Sequence, residues 1–547
     1  MTELVDAQFY APFASSLTQT NGAGTFSFAR STTKSIFNSS GILESAAINA
    51  ASINDFGLHI DPASKTNNLL YCRDLTKGGL IGTTAPARPI WRSGVIGSEL
   101  VTNGTFNVDA SGWSTLNCTL SAVSGALRVT PTGAHTQARQ AIATVAGKCY
   151  VLTFTCVDVN ASTNGHVALV GSSTFGGGEL ACFSGDNSIG TPVSGIFKAT
   201  GTTTYLTFYS PESTKYHDLD NISVRESEVQ VSVTGTGIDG VANSCSLVEF
   251  NANGATVLQT IVSAAAAGCS GYWVKWHTAV GTVEFTRDNI TWMDITSELS
   301  AGEFYVAKIE NTSVTNPVIG FRGMNGGKII VDAGLNHAGT TLTLPIFTTS
   351  SAVTRAADVL TYQTASNFSD TAGTILATYK PTYDTYAAGS IVGSSTRGLY
   401  AGTSNSGVQA LDGTNTINGP TGTPSGQIRI GARWSGSSLQ CFALDSFGSA
   451  GSYDGSFNLS TIGILPGTAG YIRDLAIWTS SLTDNEIRDA WNLIITYITS
   501  GSLVGMQSIL SSSTSSISTV IYGSITATYV QPTLTATYTV PTIEAEI

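Results

Sequence analysis

Apolar and polar residues alternate with a period of two along most of the chain. Tyr150-Val151-Leu152-Thr153-Phe154-Thr155-Cys156-Val157 predicts a strand, as do Thr204-Tyr205-Leu206-Thr207-Phe208-Tyr209 and Val283-Glu284-Phe285-Thr286. Such runs recur at intervals of roughly 8–12 residues between Gly, Ser and Asn clusters, the signature of antiparallel sandwiches. Alternating strand–helix units are absent, which disfavours a parallel-sheet enzyme fold. One helix stands out. Thr483-Asp484-Asn485-Glu486 reads as a capping box, and Ile487, Ala490, Trp491, Ile494, Ile495 and Ile498 then fall on one helical face, predicting a helix over 484–498.

These patterns divide the chain into five expected segments: an N-terminal module or anchor over 1–94, a first sandwich over 95–227, a second over 228–350, a third over 351–500 closed by the capped helix, and a tail over 501–547. The fold class is therefore mainly β, several concatenated antiparallel sandwiches with one short helix and an extended β tail. The tail holds a near-repeat, Ile525-Thr526-Ala527-Thr528-Tyr529 and Leu534-Thr535-Ala536-Thr537-Tyr538. Alternation puts Ile525, Ala527 and Tyr529, or Leu534, Ala536 and Tyr538, on one side of a strand, and two strands cannot bury such a face alone. Docking on a neighbouring chain or another protein, through Ile525, Tyr529, Leu534 and Tyr538, is the favoured reading. A loosely attached tail and an edge strand of the third sandwich are the alternatives.

Composition narrows the function. Only 25 Lys plus Arg and 37 Asp plus Glu occur in 547 residues, 11% charged against about 25% in ordinary domains. With 42% hydrophobic residues and 8 Trp the chain is not a disordered polymer. A net charge of −12 without a basic run offers no phosphate footprint, so nucleic acid is not expected as a partner. No apolar run of about 20 residues predicts a membrane helix, and residues 1–6 lack the pattern of a signal peptide. The 8 Cys show no C-x-x-C spacing and read mostly as buried thiols, Cys245 and Cys269 being the best disulfide candidates.

Three stretches carry a resemblance. Phe26-Ser27-Phe28-Ala29-Arg30-Ser31-Thr32-Thr33 leads to Ser40-Gly41-Ile42-Leu43, then Gly57-Leu58-His59-Ile60-Asp61-Pro62, and then Thr66-Asn67-Asn68-Leu69-Leu70-Tyr71, with Lys65 just before it. Glu99-Leu100-Val101-Thr102-Asn103-Gly104-Thr105-Phe106 with Gly112-Trp113 resembles the start of a jelly roll of the carbohydrate-binding-module type, and Asp218-Leu219-Asp220-Asn221-Ile222-Ser223-Val224 resembles its closing strand. Val353-Thr354-Arg355-Ala356-Ala357-Asp358-Val359 precedes segments similar to a concanavalin-like or laminin-G-like sandwich, ending in Ser481-Leu482-Thr483-Asp484-Asn485-Glu486-Ile487. Together they resemble modular tailed-bacteriophage virion proteins of the head-spike fibre, capsid decoration or tail-fibre type.

That resemblance implies a virion structural protein, assembled in the host cytoplasm. Its partners would be other virion proteins, further copies of itself and host surface polysaccharide. It would act by binding and not as an enzyme; the alternative is a glycan depolymerase with accessory sandwiches. No G-x-S-x-G, H-E-x-x-H or phosphate-binding loop occurs, and no carboxylate pair can be nominated for glycoside hydrolysis. His217 with Asp218 and Asp220 imitates a catalytic cluster, although a surface loop entering the final strand is the better reading. For glycan contact the candidates are Trp113, Tyr209 and Tyr216, whose ring faces match a pyranose; a Trp after Gly at the start of a sandwich is more often core. Trp434, Trp478 and Trp491 read as core. The jelly-roll resemblance also implies a structural Ca2+ held by Asp220 and Asn103 with backbone carbonyls, against a reading in which Asp220 caps a turn.

Overall fold

A computed structural model describes residues 7–13, 16–38, 40–54, 56–76, 91–158, 167–173, 180–184, 189–210, 213–261, 267–349, 351–382, 389–401, 407–420, 427–443, 446–499, 525–530 and 533–538. The expected Pro-containing boundary at 85–89 lies outside them. The chain is mainly β, as its alternation requires, with antiparallel sheets throughout. Among the described residues one α-helix occurs, Asp484–Thr499. Its start is the capping box: Glu486 Oε2 accepts the Thr483 N–H at 2.7 Å, and Thr483 Oγ1 accepts from Glu486 N at 3.4 Å. Arg433 secures that first turn through Asp484 at 2.6 Å. Ala490 and Trp491 are buried; the side chains of Ile494, Ile495 and Ile498 lie outside the described residues.

Three sandwiches follow one another in sequence, but their edges are supplied from across the expected boundaries. In the first, the sheet of Ser114–Leu116, Thr136–Ala143, Thr203–Ser210, Val167–Gly171 and Ala181–Ser184 faces the sheet built on Cys118–Val123, Ala126–Pro131, His217–Ser227, Cys149–Asp158 and Pro192–Lys198. Leu127, Leu152, Phe154, Leu206, Phe208 and Val224 fill the space between them. In the second, Val229–Gly235, Cys245–Phe250, Lys328–Ala338, Ala267–Thr278 and Tyr305–Ser313 form one sheet. The opposing sheet ends on Trp91–Arg92, paired with Ala255–Thr260, so that sandwich receives a strand from before the first one.

The third sandwich shows the same nesting on a larger scale. The strand Gly470–Trp478 pairs on one side with Ala372–Pro381. Its other side is completed by two short N-terminal strands: Phe9–Ala11 pairs with 475–477, and Gly57–Ile60 with 470–472. In the facing sheet Phe26–Ala29 pairs with Val359–Gln363. Phe9, Phe13, Leu58 and Ile60 thereby enter the core beside Ile375, Tyr379 and Trp434. Phe9–Ala11, Phe26–Ala29 and Gly57–Ile60 are thus strands of the third sandwich and not of a separate N-terminal module. Gly57, at φ +106°, is required there, since a Cβ would lie 2.3 Å from the Ile472 carbonyl oxygen.

Joints between the sandwiches are packed and ionic. Cys149, Val151 and Ile196 of the first belong to the apolar cluster that fills the second. The hairpin of Lys34–Phe37 and Leu43–Ala46 sets Leu43 into a cluster with Ile238 and Trp273 of the second sandwich. Arg73 spans Asp332 at 2.7 Å and Asp239 at 2.6 Å. Cys245 and Cys269, the expected disulfide, are instead two buried free thiols, and Cys72, Cys118, Cys149, Cys156 and Cys441 are free thiols too. Each sits in its own strand, Cys245 opposite Gly235 and Cys269 opposite His337.

Two buried groups of the third sandwich respond to pH in opposite senses. His59 is fully buried, and desolvation with Lys34, Arg355 and Arg30 nearby holds its imidazole well below its ordinary 6.5. Below pH 6.5 the unfolded chain takes up a proton that the fold refuses, so this group lowers stability as the pH falls. Burial instead pushes the Asp474 carboxyl from 3.8 up to about 7, where the Tyr10 hydroxyl donates to it at 3.2 Å. Between those values the folded state holds the proton, so this group adds stability as the pH falls from 7 and loses it above 7. His59→Gln will therefore leave a urea midpoint that rises on going from pH 7.5 to 5, relative to wild type, and Asp474→Asn one that falls. Identical pH slopes in both variants would show these assignments to be wrong.

Candidate functional site

The first sandwich presents one sheet face with aromatic and polar groups together. In Thr203–Ser210 the even positions Leu206 and Phe208 point into the core. Alternation leaves Tyr205, Thr207 and Tyr209 on the other face. Antiparallel register sets Ala141 opposite Tyr205, Arg139 opposite Thr207 and Gln137 opposite Tyr209. On the far side Leu169 faces Thr207, and Gly171 faces Tyr205. Tyr205 and Tyr209 are half-buried, whereas Thr207 and Arg139 lie deeper at 3% and 8% exposure. The face is therefore recessed along its middle.

Its polar groups hold each other in place. Arg139 Nε donates to Gln137 Oε1 at 2.7 Å. His135, exposed and at φ 61°, stacks on Tyr209 with ring centroids 6.0 Å apart and 20° between planes, and its Nδ1 lies 2.7 Å from the Tyr209 hydroxyl. Two aromatic faces, an amide and a guanidinium along one recessed strip match the needs of a sugar ring: an apolar face to stack on and directional partners for its hydroxyls.

Of the residues expected to touch a glycan, only Tyr209 is on this strip. Trp113 is core at 9% exposure, packed between Phe106 and Phe208 at 5.8 Å each, and its Nε1 donates to the Asn103 carbonyl at 3.2 Å. Tyr216 precedes a strand of the opposite sheet. There the Arg128 guanidinium lies 3.8 Å over its ring and its hydroxyl donates to Asp158 at 3.0 Å, which pushes the phenol up. Tyr205, Gln137 and Arg139 were missed, although Tyr205 falls at the same parity as Tyr209 and that spacing alone would have found it.

The remaining chemistry in this sandwich is structural. His217 is buried inside the closing strand and not in a surface loop, and alternation turns it to the face opposite Asp218 and Asp220. Asp218 accepts both Arg128 Nε at 2.9 Å and Nη2 at 2.7 Å. The Glu99 carboxylate holds the N–H groups of Leu100, Val101 and Val224. Gly104 lies so close to the closing strand that a Cβ would meet the Ile222 oxygen at 1.9 Å.

Asp220 and Asn103 do not fit an ion between them. Asp220 accepts the backbone N–H of Asn221 at 2.6 Å and its side-chain amide at 3.1 Å, at a residue with φ 50°, so it serves a register irregularity inside the closing strand and not a turn. Asn103 turns its amide nitrogen, a donor and no ligand, onto the Asp109 and Ser111 carbonyl oxygens. Among the described residues no group of three His, Cys, Asp or Glu is placed to hold a metal. In the tail, Ile525–Val530 and Thr533–Tyr538 pair with each other, Ile525 opposite Tyr538 and Tyr529 opposite Leu534; their side chains lie outside the described residues.

No protein-family model and no curated protein sequence matches the chain. Among solved structures it is similar to the N-terminal CBM22-1–CBM22-2 tandem domain of Paenibacillus barcinonensis Xyn10C, at 11% identity over 49% of this chain and 99% of that one, with a TM-score of 0.20. It is also similar to Trypanosoma rangeli sialidase, at 10% identity over 70% of this chain and 94% of that one, with a TM-score of 0.21. Likenesses this loose transfer neither site nor activity.

Burial of Trp113 gives a direct check. Trp113→Ala will destabilise the first sandwich by about 3–5 kcal/mol, read as a lower thermal midpoint. An unchanged midpoint would show that the ring is not part of the core.

Proposed function

We propose that this protein is a virion structural component of the tailed-bacteriophage type that displays β-sandwiches and binds host surface glycan through the strip Tyr205–Thr207–Tyr209. One observation carries the glycan reading: two half-buried tyrosines flank a recess lined by Gln137 and Arg139, beside a stacked His135. On this reading Tyr205 and Tyr209 stack on the sugar while Gln137 and Arg139 take its hydroxyls. Isothermal titration of the full chain against hits from a glycan array tests it. Tyr209→Ala and Tyr205→Ala are expected to weaken binding by about 1 kcal/mol each, roughly fivefold, with the fold unchanged by circular dichroism. Binding that survives both substitutions would move the site elsewhere.

The reading of action by binding and not by catalysis is supported by how acids of the first sandwich are held. Asp158 and Asp218 are register partners on neighbouring strands, but Arg128 engages one and Tyr216 the other. A hydrolase needs one protonated and one free carboxyl across an open cleft. Release of reducing ends from host polysaccharide would favour the depolymerase reading instead.

The virion assignment rests on the runs Phe26–Thr33, Gly57–Pro62 and Val353–Val359, which resemble that class of protein. It is consistent with assembly in the host cytoplasm and with a charge-free stretch from 501 to 543. On this reading the tail, with Ile525, Tyr529, Leu534 and Tyr538, docks on another virion protein or a further copy. Cryo-electron microscopy of the particle is expected to show the tail ordered against a neighbour; a tail extended freely into solvent would contradict docking.

A further inference from the structure

Where the chain leaves the N-terminal strands and where it re-enters the third sandwich, five ionisable side chains meet in the interior. Asp358 Oδ1 accepts Arg30 Nη1 at 2.9 Å, and Asp358 Oδ2 is in contact with Lys34 Nζ. All three side chains are inaccessible to solvent. The Asp61 N–H also donates to Asp358 Oδ2 at 2.9 Å, and the Asp61 carboxylate pairs with Arg355 at 2.6 Å. Lys34 Nζ donates further to the His59 carbonyl at 3.1 Å.

From this geometry we propose that Lys34 and Asp358 condense into an intramolecular amide, a covalent closure of the third sandwich. The Nζ–Cγ bond forms and the Cγ–Oδ2 bond breaks. Two of the three ammonium protons leave with Oδ2 as water, and the third stays on the amide nitrogen, so no oxidant or co-reactant is needed. The two reactants are ions that pay desolvation in the interior, whereas the product is neutral, so burial favours the amide that bulk water disfavours.

Two of the steps have a group in place. Burial lowers the Lys34 ammonium from 10.5 to about 8, which makes the free amine accessible near neutral pH. Arg30 Nη1, already on Oδ1, stabilises the oxyanion of the tetrahedral intermediate. Asp61, a second buried carboxylate of the cluster, holds Arg355 beside the reacting pair. Arg30 stays satisfied afterwards, because it also donates to the carbonyl oxygens of Thr32, Ala47 and Ala50. The link would join residues 324 apart in sequence, fastening the two chain crossings between which the first and second sandwiches are inserted.

Denaturing intact-mass spectrometry of the purified full chain, held at about pH 8, tests this. The expected mass is lower than the sequence mass by one water, with a branched tryptic peptide joining the Lys34 and Asp358 segments. Lys34→Arg keeps the cation but cannot form the link, and is expected at full mass with an unchanged circular dichroism spectrum. Wild-type chain at full sequence mass would overturn the proposal without reference to any variant. So would a water loss that persists in Lys34→Arg.

Discussion

The third sandwich depends on the carboxylate of Asp358. Its strands come from two parts of the chain separated by some three hundred residues, and apolar pairing alone does not fix which rungs meet. A strand shifted by two residues still buries the same face. Charge removes that freedom, because Arg30 and Lys34 reach Asp358 in one alignment only. Any other register would leave a buried cation without its partner, at a cost of about 3–5 kcal/mol. Asp61 and Arg355 add a second buried pair beside Arg30 and Asp358. Their first role is to hold the two ends of the insertion together.

The same logic recurs at the next joint. Residues 65–76 leave the third sandwich and run along the second, where Asn67 donates to the carbonyl oxygens of Gly334 and Ile346. Arg73 closes the contact on Asp332 and Asp239. The returning segment runs alongside, with Val353–Arg355 paired antiparallel to Lys65–Asn67. Entry and exit of the inserted sandwiches are thus one two-stranded stem with an ion cluster at either end. The first sandwich, carried beyond such a stem, packs Cys149, Val151 and Ile196 into the core of the second.

Local features were legible in the sequence because they are encoded locally. Period-two runs marked the strands, and four residues at 483–486 marked the helix start. The nesting was not legible, since alternation says which face of a strand is buried and nothing about its partner. Phe9–Ala11 and Gly57–Ile60 read as a separate module for that reason. At the candidate site, Tyr209 was visible as an aromatic on a strand, while the recess needed the register that brings Gln137 and Arg139 opposite it. Trp113 misled because its spacing after Gly112 looks the same whether the ring points in or out. Asp220 misled in another way: its carboxylate is occupied by Asn221, at a register irregularity inside the strand that the sequence does not mark.

Sparse charge takes on a different meaning once the ion pairs are located. In a chain with 11% charged residues, isolated surface pairs would add little to stability. The most deeply buried pairs are instead at the seams: Arg30 and Lys34 with Asp358, Arg355 with Asp61, and Arg73 with Asp332. Within the sandwiches, Ser, Thr, Asn and Asp side chains satisfy backbone groups at the turns, as Asp288 does for Ile290 and Thr291 and Asp412 for Thr414 and Asn415. Short polar side chains suffice where the problem is a local turn. Solvent-inaccessible ion pairs are placed where two distant parts of the chain must recognise each other, because an unpaired buried ion penalises a wrong junction strongly.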